Sequence, residues 1–200
     1  MRLGSHPAPN QPHGSTRRVV LTGGPGAGKT TLLTALGRLG HFVVSDSARE
    51  IIAERLARGE TPRPDPTTFA REILRRDAEK YATLPAHLAL AFFDRSALEA
   101  IAMLHECEPM PNDALNRAIR AYRFEPTVFV LPPWEAIYCN DSERDHAFDH
   151  AQRVYLDVVR WYRRWGYDVH ELPRVSVAER VSHLLSALES QIPPTSKTEE

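Results

Sequence analysis

Eight residues constrain this chain more than any others: Gly23-Gly24-Pro25-Gly26-Ala27-Gly28-Lys29-Thr30. They match the spacing G-x-x-x-x-G-K-[ST]. Glycines at such spacing let backbone N–H groups turn inward around phosphate oxygens. A helix opening at Lys29 would aim its N-terminus at the same charge. Lys29 is then placed to reach the β- and γ-phosphates, and Thr30 to offer a hydroxyl to Mg²⁺. The flanks agree with this chemistry. Arg18 to Thr22 reads as a buried strand, and Thr30 to Leu39 as a helix with Leu32, Leu33 and Leu36 on one face. The expected nucleotide cradle is Gly24, Pro25, Gly26, Ala27, Gly28, Lys29, Thr30 and Thr31, with ATP or GTP and Mg²⁺ as its ligands.

The same alternation continues along the chain. Strands are expected at His41–Ser45, Leu88–Phe93, Thr127–Leu131 and Tyr167–Leu172. Helices are expected at Ser47–Arg58, Thr68–Tyr81 (capped by Asp65 or Thr67), Ala97–Glu106, Asp113–Tyr122, Glu143–Trp165 and Val177–Glu189. Short apolar strands interleaved with helices imply a parallel sheet covered on both faces, a three-layer α/β fold. Val154, Val158, Trp161 and Trp165 share one face of the long helix and read as core.

Composition narrows the function. The 200 residues carry 25 Lys and Arg against 26 Asp and Glu, so bulk charge does not point to nucleic acid. No apolar run is long enough to span a membrane. Met1 to Arg18 lacks the apolar core of a secretory signal, and Cys107 and Cys139 are too far apart in sequence for a C-x-x-C pair. The expected compartment is the cytoplasm. Pro is in excess at 16 residues, several of them in the arm 1–16 and the tail 193–200, both expected to be disordered around a domain at 17–192.

Two carboxylates fall at expected strand ends, where open α/β sheets bind ligands. Asp94 is followed by Arg95 and Ser96, and Asp46 follows His41-Phe42-Val43-Val44-Ser45. An Asp beside an acceptor hydroxyl can orient it and take its proton, and an Arg can stabilise charge on a moving phosphoryl group. Asp46 also fits an N-cap, Asp94 either a Mg²⁺ or substrate ligand or a helix cap, and Arg95 either a phosphate ligand or an ion-pair partner. His146 and His150 stand one turn apart, but no third metal ligand accompanies them and a solvated helix face is the reading. Arg160, Arg163 and Arg164 complement a helix C-terminus, with a basic-aromatic surface for lipid or nucleic acid as the lesser reading.

The chain also resembles a known family. The runs VVLTGGPGAGKTTLL, DSAREII, FFDRS, VFVLPPWEAIYCNDSER and GYDVHELPRVSVAERV are similar in order and spacing to the small "AAA domain" ATPases. That group includes the kinase domain of NadR-type nicotinamide riboside kinases and the translocation-defect GTP-binding proteins of animals. Asp94-Arg95-Ser96 is similar to the D/E-R-[SYH] motif of nucleoside and thymidylate kinases. Asp-Glu, usual in AAA+ motors after the third strand, and the N-K-x-D of small GTPases are absent. The sequence departs from the family where Asp46 replaces the commoner Glu, and where Ser96-Ala97-Leu98-Glu99 replaces a Gly and a later Asp.

The resemblance implies a P-loop kinase-like fold with strand order 2-3-1-4-5. It also implies a lid at about 138–153 that brings Arg144, or failing that Arg153, to the phosphates, and an adenine site near Pro173–Ala178. The expected activity is ATP- and Mg²⁺-dependent phosphoryl transfer to a small hydroxyl-bearing metabolite, nucleoside-like or riboside-like. Lys29, Asp46, Asp94, Arg95 and Arg144 are the expected catalytic residues, and Thr30 and Asp94 the metal ligands. The alternative is an ATP- or GTP-binding switch, or slow NTPase, that engages a lipid or protein partner.

Overall fold

The computed structural model describes residues 16–138 and 148–191. Most of the expected arm 1–16, the tail 193–200, Cys139, Arg144 and His146 therefore lie outside the described residues. The strands are β1 (Arg17–Gly23), β2 (Phe42–Val44), β3 (Leu90–Asp94), β4 (Thr127–Leu131) and β5 (Asp168–Glu171). The helices are α1 (Lys29–Arg38), α2 (Ser47–Ala57), α3 (Pro66–Ala82), α4 (Ala97–Cys107), α5 (Asn112–Arg120), α6 (Phe148–Arg164) and α7 (Val177–Glu189). All strands are parallel, in the order β2-β3-β1-β4-β5.

Alternation along the central strands divides the core. Val19 and Leu21 of β1, Phe92 of β3, and Phe129 and Leu131 of β4 meet Leu32 and Leu36 of α1 and Leu184 and Leu188 of α7. Val20, Ala91, Phe93, Val128 and Val130 point the other way, onto Leu98 and Ile101 of α4, Leu115 of α5, and Val158 and Tyr162 of α6. Side chains two apart share a face, so each buried strand must be apolar on both sides. That requirement is why these strands read as unbroken apolar runs. The predicted apolar face of α6 packs here, with Val158 buried and Val154, Trp161 and Trp165 partly buried. No helix among the described residues is long and apolar enough to cross a membrane.

Register brings the functional ends together. Leu21 lies opposite Asp94, Gly23 opposite Leu131, and Val44 opposite Phe93. The phosphate loop after β1, Asp94-Arg95 after β3 and Asp46 after β2 therefore emerge side by side at the carboxyl ends of adjacent parallel strands. The strands at the sheet edges are shorter than their apolar runs suggest, three residues for β2 and four for β5. A 3-10 turn at Glu135–Ile137, unforeseen in the sequence, follows β4.

Helix starts are set by side-chain caps. Asp65 accepts from the Thr68 N–H at 3.0 Å, and Pro66 occupies the first helical position of α3, where its missing N–H costs nothing. The start of α2 is tied to α3, because the Ser47 hydroxyl donates to Asp77 Oδ1 at 2.5 Å. Burial raises the Asp77 carboxyl from 3.8 to about 7, the Ser47 hydrogen bond notwithstanding. The folded chain thus holds this proton over a range in which the unfolded chain releases it. Stability from this group falls as pH rises from about 4 to 7, by at most about 1.4 kcal/mol per pH unit. Asp77→Asn removes that slope, so urea unfolding should show the variant gaining on the wild type between acid and neutral pH.

Candidate functional site

The phosphate loop is built by close backbone approaches. At Gly24 a Cβ would lie 2.3 Å from the Ala151 carbonyl oxygen, so only glycine lets α6 sit against the loop. Gly28 takes φ 89° immediately before α1, a left-handed turn that L side chains adopt only with strain. Lys29 is buried, and its Nζ donates to the Gly23 and Gly24 carbonyls at 3.0 and 2.8 Å. The ammonium thus lies across the loop mouth, beside the first glycines.

Asp94, Arg95, Asp46 and Glu99 complete a compact charged cluster. Arg95 has φ 68°, a left-handed conformation for a non-glycine residue, and its N–H still donates to Leu21 O at 2.9 Å. That twist sends the guanidinium back over the sheet edge. Its Nη1 donates to Glu99 Oε2 at 2.7 Å, its Nη2 to Gly23 O at 3.1 Å, and its Nε lies 3.5 Å from Asp46 Oδ2. Burial opposes its charge, but Glu99, Asp46 and Asp94 outweigh burial and hold it above the ordinary arginine range. Glu99 also accepts from the Tyr162 hydroxyl at 3.0 Å, which in turn lies 2.7 Å from Ser96 Oγ. Burial and Glu99 keep that phenol protonated, so Tyr162 donates to Glu99 and Ser96 donates to Tyr162.

The structure separates the alternatives left open at these positions. Asp46 does cap α2, its Oδ1 accepting from Ala48 N at 2.9 Å and Arg49 N at 3.4 Å. Its other oxygen faces Arg95, so the cap role and a place in the site coexist. The cap of α4 is Ser96, which accepts from Leu98 N at 3.2 Å, so Asp94 is not spent on capping. Asp94 is buried, and its Oδ1 has no hydrogen-bond partner among the described residues. Burial raises the Asp94 carboxyl and lowers the Lys29 ammonium from their ordinary ranges. A buried, unpartnered carboxylate oxygen beside a lysine and a threonine hydroxyl fits a hard cation and phosphate oxygens. Among the described residues no group of three or more His, Cys, Asp or Glu could hold a metal by itself.

A cavity of about 620 Å³ opens from this cluster. Lys29, Thr30, Asp46, Asp94 and Arg95 line one part, and Ile52, Phe69, Ile73, Ala100 and Met103 of α2, α3 and α4 line another. Three residues that sequence reasoning gave no role stand out. Arg49 Nη1 donates to Thr30 Oγ1 at 2.8 Å. Its position three residues after Asp46 was the available signal, because i and i+3 share a helix face. Glu99 stands four residues after Arg95 and carries the same kind of signal. Arg180 had none. It is buried, donates to Ala27 O at 3.1 Å and Pro173 O at 2.9 Å, and lies 4.8 Å over the Trp134 ring. Arg180 thus straps the loop at Pro173 to the phosphate loop across 153 residues of sequence. Trp134 packs on its guanidinium. Arg164 lies 5.9 and 5.7 Å from the Trp161 and Trp165 rings, and Arg153 is exposed on α6.

The fold and this loop define a P-loop kinase-like α/β protein. The AAA domain family model matches residues 18–180, and the chain belongs to that family. No curated protein matches it. In structure it is similar to the NadR protein in complex with NR, at 18% identity and TM-score 0.65, with 88% of this chain and 51% of that one covered. It therefore spans about half of the NadR chain. It is also similar to the thymidylate kinase from Ehrlichia chaffeensis (11% identity, TM-score 0.59, 87% and 99% covered). The deoxyadenosine kinase from M. mycoides with bound dATP is similar as well (12% identity, TM-score 0.55, 86% and 99% covered). These likenesses establish the fold.

Two glycine substitutions test the loop's packing. Gly24→Ala should cost about 1–3 kcal/mol by pushing α6 away. Gly37→Ala meets only the Val43 side chain at 3.9 Å and should add about 0.5–1 kcal/mol by restraining the unfolded chain. Thermal unfolding of the two variants should shift in opposite directions.

Proposed function

We propose that the protein is a Mg²⁺-dependent phosphotransferase that moves the γ-phosphoryl group of ATP or GTP to the hydroxyl of a small metabolite, nucleoside-like or riboside-like. The observation that carries this reading is the shape of the cavity. One cavity is lined both by Lys29, Thr30, Asp46 and Arg95 and by the apolar side chains Ile52, Phe69, Ile73 and Met103 of α2, α3 and α4. A bare hydrolase needs room for water beside the phosphates, not an apolar chamber of ligand size. The kinases among the similar structures add support of a general kind.

In this reading the phosphates lie in the loop against the N-terminus of α1, and Lys29 exchanges its two carbonyl partners for β- and γ-oxygens. Thr30 and Asp94 would hold Mg²⁺, which supplies positive charge to the phosphate oxygens when bound. The acceptor rests on Ile52, Phe69 and Met103 with its hydroxyl toward Asp46. The bond between the γ-phosphorus and the bridging oxygen breaks, and a bond to the acceptor oxygen forms. The hydroxyl proton passes to Asp46 Oδ2, and the nucleoside diphosphate leaves. Arg95 stabilises charge on the phosphoryl group in transit, and Glu99 positions Arg95 for that task. Arg144, the expected lid arginine, lies outside the described residues and retains its proposed role at the phosphates.

A phosphate-transfer screen tests the proposal, with ATP and GTP each offered to nucleosides, nicotinamide riboside and sugars. One acceptor class should gain phosphate. Lys29→Ala should lose transfer by weakening nucleotide binding, whereas Asp46→Asn should leave nucleotide affinity within a few-fold and lower kcat by roughly 100-fold or more. Tight nucleotide binding with no phosphorylated acceptor would instead favour a regulatory switch.

A further inference from the structure

Thr30 has two claimants. The phosphate-loop pattern assigns its hydroxyl to Mg²⁺, yet in the structure that hydroxyl accepts a hydrogen bond from Arg49 Nη1 at 2.8 Å. A guanidinium is always protonated and only donates. A guanidinium and a divalent cation are like charges, so bringing both onto one hydroxyl oxygen sets them close together and repels them. Loading the metal on Thr30 must therefore dislodge Arg49.

The backbone is built to let the side chain move alone. Arg49 sits in the first turn of α2. Its N–H is held by Asp46 Oδ1 at 3.4 Å, and the neighbouring Ser47 is anchored to Asp77 on α3. With the helix start fixed, a rotamer change is the motion that would carry the guanidinium off Thr30. Both Thr30 and Arg49 line the cavity that also holds Lys29, Asp94 and Arg95, so the displaced group stays among the groups that would surround the terminal phosphate.

We propose that Arg49 is a phosphate-contacting residue parked on the Thr30 hydroxyl, which the metal–nucleotide complex displaces onto the terminal phosphate. The proposal rests on the nucleotide-binding half of the function above and makes no use of the acceptor. Arg49 then supplies from within the domain a cation at the moving phosphoryl group, and does so only once the metal is loaded. It would act beside Arg95, which is already engaged with Glu99, Asp46 and Gly23.

The test is equilibrium binding by calorimetry on the full chain, with a non-hydrolysable ATP analogue and with ADP, across a Mg²⁺ titration. Arg49→Ala vacates Thr30 and should lower the Mg²⁺ concentration needed for half-maximal nucleotide binding. It also removes a contact unique to the third phosphate, so the preference for the triphosphate analogue over ADP should fall by roughly tenfold, the scale of one charge-assisted hydrogen bond. Arg49→Gln keeps the length and a donor without the charge, and should lose the triphosphate preference too. It carries the test if the alanine variant does not fold. Both effects together support the proposal, and the absence of either overturns it. Failure of the wild type to bind nucleotide would overturn it together with the nucleotide reading. Both effects without transfer to any acceptor would leave Arg49 in place while the phosphotransferase reading fails.

Discussion

Arg95 is the residue on which the site's geometry depends. Its positive φ is a strained conformation for a side chain with a Cβ, of order 1–3 kcal/mol. What compensates is a full set of partners: Glu99 from the helix that follows, Gly23 from the phosphate loop and Asp46 from the end of β2. Three segments distant in sequence are thereby joined through one planar cation. Each partner also has a second attachment. Glu99 holds Tyr162 of α6, Gly23 holds Lys29, and Asp46 holds the start of α2. The phosphate loop, the end of β2 and α6 are thereby tied to one another through Arg95 and its partners.

The electrostatics of this cluster are consistent with the proposed phosphoryl transfer. Burial works against the charge on both Lys29 and Asp94, lowering the one and raising the other. Such groups are poorly satisfied without a ligand, because each is desolvated and only partly paired. In the proposed reaction a phosphate chain would complete the lysine, and a cation the carboxylate. Preorganisation of this kind is the larger part of what a protein contributes to a reaction whose transition state mainly needs charge neutralised in place.

The parts of this arrangement legible in the sequence are the local ones. The phosphate loop is a contiguous pattern, the central strands are apolar on both faces, and β4 and α7 begin and end where their runs do. The strand order came with family resemblance, since apolar runs alone do not rank neighbours. Contacts between distant segments were opaque for a physical reason. Arg180 meets Ala27 only because α7 packs beside α1, and nothing in either local pattern records that pairing. Asp94 was ambiguous until the fold showed Ser96 taking the cap. Arg49 was hidden differently. It sat in plain view in the run DSAREII, but as one of several charges on α2, and its target became visible only when β2 was placed beside β3.

Asp46 shows how one atom pair can serve folding and chemistry without conflict. A carboxylate has two oxygens, and here they divide the work, Oδ1 to the helix start and Oδ2 toward Arg95 and the cavity. The division depends on the short side chain. A Glu, the commoner residue at this place in the family resembled, carries one more methylene, and that extra reach takes its oxygens past the N–H groups of the first turn. The capping preference for Asp over Glu has that origin. With Asp, Oδ2 is tied to the helix start through its own sister atom, and in the proposed reaction the acceptor hydroxyl would come to a carboxylate held there. On that proposal the chain would gain a rigid base, in a cavity also lined by the small side chains Ala48 and Ala100.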